Sequence, residues 1–500
     1  MSQFSSDLPA DADLNNSRRQ VFKSSFSYVK PTEFPKGHLI HLNKQLFEEL
    51  NLPEDYKKIL TSEQLNTNFN SYAMNYAGHQ FGQWAGQLGD GRAITIDHKE
   101  YFDLQLKGAG LTPYSRGGDG LAVLRSSVRE YLCSEAMFNL GIPTTRALSL
   151  ALTGEKVARD MMYNGNVQYE LGAIVCRVAK SFVRFGSFEI HAARKENDIL
   201  EKLINHVYGN FYSDHIPSSN VKDNALAVFK NITRRSLDLV INWERVGFIH
   251  GVLNTDNMSI IGDTIDFGPF GWVERYDPDW TPNTSDTQGR YSFAQQGEIV
   301  LWNLLRLANA LYPVIKDTKS LEDQLSWFKT NYSEAHDQMM NKKLGLKNSS
   351  NDFVNLTESL LKKYEQDYTI FFRNLSRVNM NSSFDFFKDI LQESSYNLQL
   401  LQKDDLLQKW FNEYISHLKV SELENRIFKM EAVNPVFILR NHLLYKCSKD
   451  LESGSKELFE QLNKALKTPY EVNENTKPFF AKAPDWSFNT IGCSQLSCSS

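Results

Sequence analysis

The sequence predicts an α+β fold in which a short strand-rich part precedes a longer helical part. Ten glycines fall between residues 75 and 120, and the segments 92–96 and 102–107 within this stretch have the pattern of strands. From about residue 320 to residue 470 the pattern is helical and rich in charge. Strands and helices are therefore expected in separate parts of the chain.

The strand-rich part can be assigned element by element. We expect the polar stretch 97–100 to join the first two strands, and a further strand over 173–178. Asp119 is expected to cap a helix that ends at Gly141-Ile142-Pro143. The apolar stripe of this helix consists of Leu121, Leu124, Val128 and Leu132.

An amphipathic helix over 225–245 leads into a loop with the motifs of a protein kinase core. Its buried side is Val228, Ile232, Leu239, Val240 and Trp243. In the loop, His250 and Asn257 are seven residues apart, and Asp266-Phe267-Gly268 follows. Protein kinases have a His-Arg-Asp loop with an Asn at that distance, followed by Asp-Phe-Gly. We therefore expect a protein-kinase-like bilobal fold with an N-terminal extension and an extra helical C-terminal region.

The order of the elements also predicts how the chain is divided. Residues 271–293 have an irregular pattern, and 299–311 form a strongly apolar helix. The expected divisions are an N-terminal extension packed on the core (1–70), a kinase-like N-lobe (71–180), a C-lobe with the catalytic and activation segments (181–320), a helical C-terminal region (321–470) and an extended tail (471–500).

The loop lacks the usual catalytic carboxylate of a kinase. Val252 occupies that position, and a valine cannot accept a proton. Asn257 and Asp266 remain, and one amide and one carboxylate suit Mg²⁺, which takes few protein ligands. The chain is therefore expected to bind a metal–nucleotide complex and to do something other than ordinary phosphorylation. Asp256 is the nearest carboxylate that could accept a proton from an attacking hydroxyl.

Other candidate residues precede this loop. Lys107 ends a strand, where it resembles the lysine that holds nucleotide phosphates in kinases, and such a lysine needs a carboxylate partner. Glu130 on the following helix is the expected partner, with Glu135 as its competitor. Glycine lets backbone N–H groups approach phosphate, so we expect a phosphate-proximal loop at Gly89, Gly91 and Arg92 and, with less support, at Asp119 and Gly120. Spacing alone favours surface salt bridges for Arg177 and Arg184.

Bulk properties exclude several classes of protein. The net charge of −5 gives no reason to expect nucleic acid as a partner, and no apolar run is long enough to span a membrane. Five cysteines without a Cys-x-x-Cys pair suit a reducing compartment. We expect a cytoplasmic protein, or a mitochondrial one if the source is eukaryotic. A redox role for Cys493 and Cys498 is open.

Several sequence blocks together resemble the selenoprotein O family, which consists of pseudokinase-like protein nucleotidyltransferases. The resemblance is clear over about residues 20–310. The blocks are 75–82, 87–92, 104–110 through 134–137, 250–257 and 285–291.

The resemblance implies that ATP binds in a flipped orientation and that AMP is transferred to protein hydroxyls. It assigns nucleotide contacts to Gly89, Gly91, Arg92, Lys107, Asp119, Gly120, Arg177 and Arg184. It implies that Glu130 is the partner of Lys107 and that Asp256 is the proton acceptor. The implied metal ligands are Asn257 and Asp266. Some members end in Cys-x-x-Cys or Cys-x-x-selenocysteine. Here Gln495 replaces the first cysteine, and 280–286 contains none, so a disulfide between that segment and the tail is not expected.

The expected function is therefore transfer of AMP from ATP to Ser, Thr or Tyr hydroxyls of protein substrates, with release of pyrophosphate and with Mg²⁺ or Mn²⁺ as cofactor. Three alternatives are a kinase that uses Asp256 as its base, a uridylyltransferase that uses UTP and Mn²⁺, and a catalytically silent pseudokinase scaffold. The chain is expected to be a monomer.

Overall fold

The computed structural model describes residues 3–64, 70–213, 220–401, 405–421 and 425–497. As the sequence predicted, it is a mixed α and β protein with a large antiparallel sheet and many helices. The strands are β1 Phe26–Tyr28, β2 His38–Leu42, β3 Tyr72–Met74, β4 Ala77–Gln80, β5 Gln83–Gln87, β6 Ala93–Lys99, β7 Phe102–Lys107, β8 Ala122–Val123, β9 Arg146–Arg159, β10 Gln168–Ala179, β11 Phe248–Ile249 and β12 Gly271–Trp272.

The main sheet holds its strands in the order β1-β3-β6-β7-β10-β9-β2, and β8 pairs with β10. Strand β7 has the predicted bounds, and β10 contains the predicted segment 173–178. The predicted turn at 97–100 is wrong in part, because β6 continues to Lys99. Asp97 and His98 pair with Leu104 and Asp103, and this pairing carries the strand past the polar residues.

The helices come mainly after the sheet. They are α1 Gln3–Asp7, α2 Lys44–Glu49, α3 Tyr56–Leu60, α4 Leu124–Asn139, α5 Phe185–Ala193, α6 Asn197–Val207, α7 Val221–Val246, α8 Gln296–Ile315, α9 Thr318–Leu344, α10 Asn351–Lys363, α11 Tyr368–Leu375, α12 Phe384–Ser394, α13 Asp405–Ser421, α14 Arg426–Glu431, α15 Asn441–Glu452 and α16 Glu457–Ala465. The predicted helices 225–245 and 299–311 lie within α7 and α8. Helix α7 ends at Val246 and is capped by Gly247, whose φ of +74° suits a glycine.

The predicted cap at Asp119 is wrong, because α4 begins five residues later at Leu124 with Val123 as its N-cap. Gly120 turns the chain with φ +76°, and Ala122 and Val123 then extend to pair with β10. The Asp119 carboxylate accepts a hydrogen bond from the Leu121 amide at 3.0 Å and pairs with Arg159 at 2.7 Å. Asp119 therefore stabilises the turn before α4 instead of capping the helix.

Two of the three hydrophobic cores in the described part of the chain contain most of its buried aromatic residues. One lies between the sheet, α4 and α7, where Trp243 and Phe248 are fully buried. The other lies among α9 to α13 and includes Phe353 and Trp410. No helix among the described residues is long and apolar enough to cross a membrane.

The last described residues pack against the segment that follows the Asp-Phe-Gly motif. Residues 477–479 and 485–489 form short 3₁₀ turns. Leu496 then lies beside Asn283, its amide donating to the Pro282 carbonyl at 3.0 Å and its carbonyl accepting from the Thr284 amide at 2.7 Å. Cys493 is a buried free thiol, and Cys498 lies outside the described residues.

Candidate active site

A cleft of about 880 Å³ lies between the main sheet and the loop after β11. Most of the residues singled out from the sequence line it, although they come from distant parts of the chain. They are Gly89, Gly91, Arg92, Lys107, Asp119, Gly120, Arg177, Asp256, Asn257 and Asp266. Glu130 and Arg184 lie behind this lining and bond to residues within it.

Lys107, at the end of β7, forms an ion pair with Glu130 of α4, as predicted. Its ammonium also lies 3.2 Å from Asp266. Burial lowers the pKa of Lys107, while the carboxylates of Glu130 and Asp266 oppose that change. The competing partner, Glu135, instead binds Arg146 in a two-pronged pair at 2.9 Å for each contact.

Asp266 is the centre of a buried cluster of charges. Its φ of +57° places it in the left-handed region, which Asp tolerates better than most residues. One carboxylate oxygen lies 2.5 Å from Arg177, and the other lies 2.6 Å from Arg184. Burial would raise the pKa of Asp266, but Lys107 and the two arginines hold that pKa well below its usual value.

The surface salt bridges that spacing favoured for Arg177 and Arg184 are wrong. Both side chains are only 1% exposed, because β10 and the segment leading to α5 direct them inward. Arg177 also bonds to Glu130 at 3.1 Å. The guanidinium of Arg184 lies 4.4 Å from the centre of the Tyr76 ring, in position for a cation–π contact. These contacts hold both arginines beside the cleft.

Asp256 lies in the 3₁₀ turn 255–257 and is 7% exposed. Its Oδ2 accepts a hydrogen bond from the Gln80 amide at 3.2 Å, and its Oδ1 has no hydrogen-bond partner among the described residues. Burial raises the pKa of Asp256 to about 7, despite the Gln80 bond and nearby Arg184, which lower it. A carboxylate with this pKa can accept a proton near neutral pH.

Strand β4, the first strand of the β4–β5 hairpin, packs directly on this turn. A Cβ atom added to Gly78 would lie 2.6 Å from Asp256 Oδ1, so only glycine fits there. The His79 amide donates to Thr255 Oγ1 at 2.7 Å. The hairpin therefore fixes the position of the acid.

Asn257 presents one end of its amide to the cleft. Its nitrogen donates to the Val252 carbonyl at 2.8 Å, which leaves the amide oxygen as the end available to a cation. Asp266 lines the same cleft. No group of three or more His, Cys, Asp or Glu side chains in the described ranges could hold a metal ion. Two oxygen donors that share an ion with phosphate oxygens fit Mg²⁺ without such a group.

The glycine-rich loop at residues 89–92 places backbone without side chains at the cleft. Gly89 has φ +70°, and a Cβ there would lie 2.4 Å from the Tyr114 ring. Gly91 lies beside the Tyr114 carbonyl, at 3.0 Å from an added Cβ. The two glycines therefore let the loop pack closely against Tyr114, which lines the same cleft.

Sequence reasoning missed several polar residues that support the site. Gln105 accepts from Arg177 and donates to Asp90 at 3.2 Å, and Asn254 Oδ1 accepts from Tyr291 at 2.5 Å. Gln80, which reaches Asp256, was also missed as an individual residue. The available signal was weak: Gln105 interrupts the apolar residues of β7, and Gln80 and Asp90 lie in glycine-rich blocks.

Comparison with known proteins gives consistent results over the whole chain. Residues 12–468 match the family model described as protein adenylyltransferase SelO. A relative named protein nucleotidyltransferase YdiU, from Flavobacterium johnsoniae, is 44% identical across 100% of this chain and 98% of its own length. Relatives of the same name from Rhodopirellula baltica and Xanthomonas campestris are each 42% identical and cover 100% and 99% of this chain, and 98% of their own lengths.

Proposed function

Because the chain belongs to the SelO family and is a protein nucleotidyltransferase, we propose that it transfers AMP from ATP to Ser, Thr or Tyr hydroxyls of protein substrates. The observation that supports this most directly is the arrangement of Lys107, Arg177 and Arg184 around Asp266. Two of these cations line one wall of the cleft and Arg184 lies just behind it, an arrangement that suits the oxygens of a triphosphate. The family name supplies the reaction class, and this cluster suggests where the phosphates lie.

A kinase-like bilobal architecture belongs to the same proposal. The antiparallel sheet with α4 corresponds to an N-lobe, and the helices from α5 onward to a C-lobe and its C-terminal extension. The Lys107–Glu130 pair supports this reading, because kinases join a strand lysine to a helix glutamate in the same way. The division at about residue 180 and the other domain bounds stay predictions.

The proposed reaction is attack of a substrate hydroxyl on the α-phosphorus of ATP. The new O–P bond forms as the bond from the α-phosphorus to the bridging oxygen breaks, and pyrophosphate leaves with that electron pair. Arg177 and Arg184 are proposed to hold the terminal phosphates, and Lys107 to offset charge on the transferring group. Gly89, Gly91, Arg92 and Gly120 would approach the nucleotide from the sheet side.

Asp256 is proposed to accept the proton of the attacking hydroxyl. Its unpartnered Oδ1 and its position in the cleft support this role. Val252, in the position of the kinase base, is not needed if the α-phosphorus rather than the γ-phosphorus faces the acceptor. A base of this kind typically accelerates transfer by about 10²–10⁴-fold.

Asn257 and Asp266 are proposed to hold the divalent cation. When bound, Mg²⁺ or Mn²⁺ would neutralise charge on the phosphate oxygens. Asp266 would then exchange part of its contact with the arginines for the cation, which frees those arginines for phosphate. The monomeric state and the cytoplasmic location stay predictions.

Labelled ATP tests the reaction. With [α-³²P]ATP and a mixture of acceptor proteins, we expect label on protein, and with [γ-³²P]ATP we expect none. Label from the γ-position would show a kinase that uses Asp256 as its base. Transfer from [α-³²P]UTP with Mn²⁺ that exceeds transfer from ATP would show a uridylyltransferase. If calorimetry detects no nucleotide binding, the result would favour the catalytically silent pseudokinase scaffold.

A further inference from the structure

A second cavity, of about 470 Å³, lies away from the cleft among the helices. We call it the helical pocket. Its walls come from the end of α7, from α9 and α10, from the start of α11, and from the two ends of the segment 276–294. The residues that matter are Glu244, Tyr276, Tyr332, His336, Glu358 and Tyr368.

Glu244 is the most unusual group in the helical pocket. It is 4% exposed, and its Oε1 accepts a hydrogen bond from the Tyr332 hydroxyl at 2.6 Å. Its Oε2 has no hydrogen-bond partner among the residues that the structure describes. A buried carboxylate oxygen without a partner is costly, so a ligand that donates a hydrogen bond there gains what the protein leaves unsatisfied.

Two acidic side chains, Glu244 and Glu358, line the helical pocket. Glu358 lies at its mouth, 3.7 Å from His336. Lys362, on the rim, is already engaged outside the pocket by Asp279 at 2.8 Å and Asp277 at 3.7 Å. Among the described lining residues, His336 is the base left to pair with these two acids, so a ligand cation can take Glu244 as its partner.

The remaining walls are aromatic. Tyr276 and Tyr368 stack at 5.7 Å between ring centres, and Phe293 meets Tyr368 edge-on at 5.9 Å. The Tyr332 ring is held against α8, where a Cβ on Gly297 would lie 2.2 Å from it. The Lys343 amino group already lies 4.5 Å from the centre of the Tyr368 ring, so the aromatic surface left for a ligand cation comes from Tyr276, Tyr332 and Phe293. Carboxylates beside aromatic rings add charge and hydrogen bonds.

We propose that the helical pocket binds a protonated amine or guanidinium group. A metal ion is a poor fit, since His336, Glu244 and Glu358 do not form a metal-binding group by geometry in this part of the chain. The volume suits one small organic ligand or one side chain. The cation can come from a basic side chain of a protein substrate or from a free small amine.

The helical pocket also has a structural link to the cleft. Tyr276 and Pro278 at one end of the segment, and Phe293 and Ala294 at the other, form part of the pocket wall. Between these ends, Tyr291 donates its hydroxyl to Asn254 at 2.5 Å beside the cleft. An occupied pocket therefore lies against the two ends of a segment whose middle contacts the candidate active site.

The test uses the full chain and the matched probes butylguanidinium and butylurea, which have similar shapes but different charges. By calorimetry we expect butylguanidinium to bind and butylurea to bind at least about tenfold more weakly. Glu244→Gln and Glu358→Gln should each weaken butylguanidinium by about tenfold or more, while Glu322→Gln on the exposed side of α9 should not. Glu358 is partly exposed, so its variant is a second test that does not depend on the stability of the Glu244 variant.

Equal binding of the two probes, or unchanged binding in both pocket variants, would overturn the proposal. Transfer kinetics then separate the two sources. A higher KM for the acceptor protein in Glu358→Gln, with an unchanged KM for ATP, assigns the pocket to a basic side chain of the substrate. Lost butylguanidinium binding with unchanged acceptor kinetics assigns it to a free amine. The calorimetry does not depend on the proposed transfer reaction, so the two can fail separately.

Discussion

Asp266 in the cleft and Glu244 in the helical pocket are both buried carboxylates, but their pKa values are shifted in opposite directions. Asp266 has three cationic groups within 3.2 Å, and the pKa of its carboxyl is held well below the usual value. Glu244 has a tyrosine hydroxyl as its close partner, and burial raises its pKa to about 7. His336 and the Tyr332 bond lower that pKa, while Glu358 raises it further.

The difference shows that the neighbours of a buried acid, rather than its depth, determine its charge. In the cleft, Asp266 stays ionised among three cationic side chains, and these side chains can also contact phosphates. In the helical pocket, Glu244 can lose its proton when a cationic partner binds beside it. Substitutions at the two regions should therefore produce different kinds of effect.

The largest effect is expected from Asp266→Asn. Removing the charge takes away a proposed metal ligand and leaves three cations without their shared anion, so transfer should fall by about 10³-fold or more. Asn tolerates the left-handed backbone at this position better than Ala does. The measurement is the rate of AMP incorporation from [α-³²P]ATP, with Asp263→Asn in the preceding turn as control. Near-normal transfer by the Asp266 variant would show that the charge cluster around Asp266 has no part in the reaction.

A smaller loss is expected from Asp256→Asn. Loss of the proton acceptor should lower kcat by about 10²-fold, the lower end of the range for a general base, while the Kd for ATP changes little because this side chain is proposed to face the acceptor. Single-turnover transfer and calorimetry on the same preparation check the two parts. A variant that loses ATP binding in proportion to its rate would show that Asp256 supports the nucleotide rather than the proton transfer.

Glu244→Gln should instead act on stability. The folded pKa of about 7 exceeds the ordinary 4.5, so the folded protein binds more protons than the unfolded chain between these values. The free energy of unfolding therefore falls as pH rises from 4.5 to 7, and the full cost is present above pH 7. The variant lacks this cost and should be more stable than the parent by about 1–3 kcal/mol at pH 8, with the difference shrinking toward pH 5.

Urea unfolding at both pH values measures this difference, with Glu322→Gln as the control. A parent and a Glu244 variant that differ equally at pH 8 and pH 5 would show that Glu244 does not titrate in this range. That result would also remove the contrast with Asp266.

The smallest effect is expected from Asp119→Ala. Its pair with Arg159 is at the rim, with the Asp119 side chain 45% exposed, and such pairs contribute about 0–1 kcal/mol. The free energy of unfolding should change by less than about 1 kcal/mol, as measured by urea unfolding. A larger loss would show that the turn before α4 depends on this carboxylate more than its exposure indicates.

The sequence predicted the cleft better than the helical pocket for a physical reason. Residues of the cleft lie in short motifs such as 250–257 and in the alternating strand 102–107, so local spacing carries the information. Glu244 follows the buried Trp243 on α7, and nothing local indicates that it also faces inward. Its hydrogen-bond partner Tyr332 and its neighbour Glu358 are 88 and 114 residues away, and the packing of α9 and α10 brings them together.

The errors in the fold have similar causes. Asp119 and Gly120 have the composition of a helix start, but pairing of Ala122 with β10 delays the helix. Arg177 and Arg184 appear suited to the surface when spacing alone is considered, and Asp266, 89 residues after Arg177, provides the charge that permits their burial. Contacts between distant residues decided each of these cases, and periodicity does not record such contacts.

The pairing of Leu496 with residues 282–284 has a consequence for biosynthesis. A ribosome makes the segment after the Asp-Phe-Gly motif more than two hundred residues before it makes Leu496. Domains generally begin to fold from the N-terminus during translation. This contact can therefore form only near the end of synthesis. The segment 282–284 reaches its final arrangement after the rest of the chain has had time to fold.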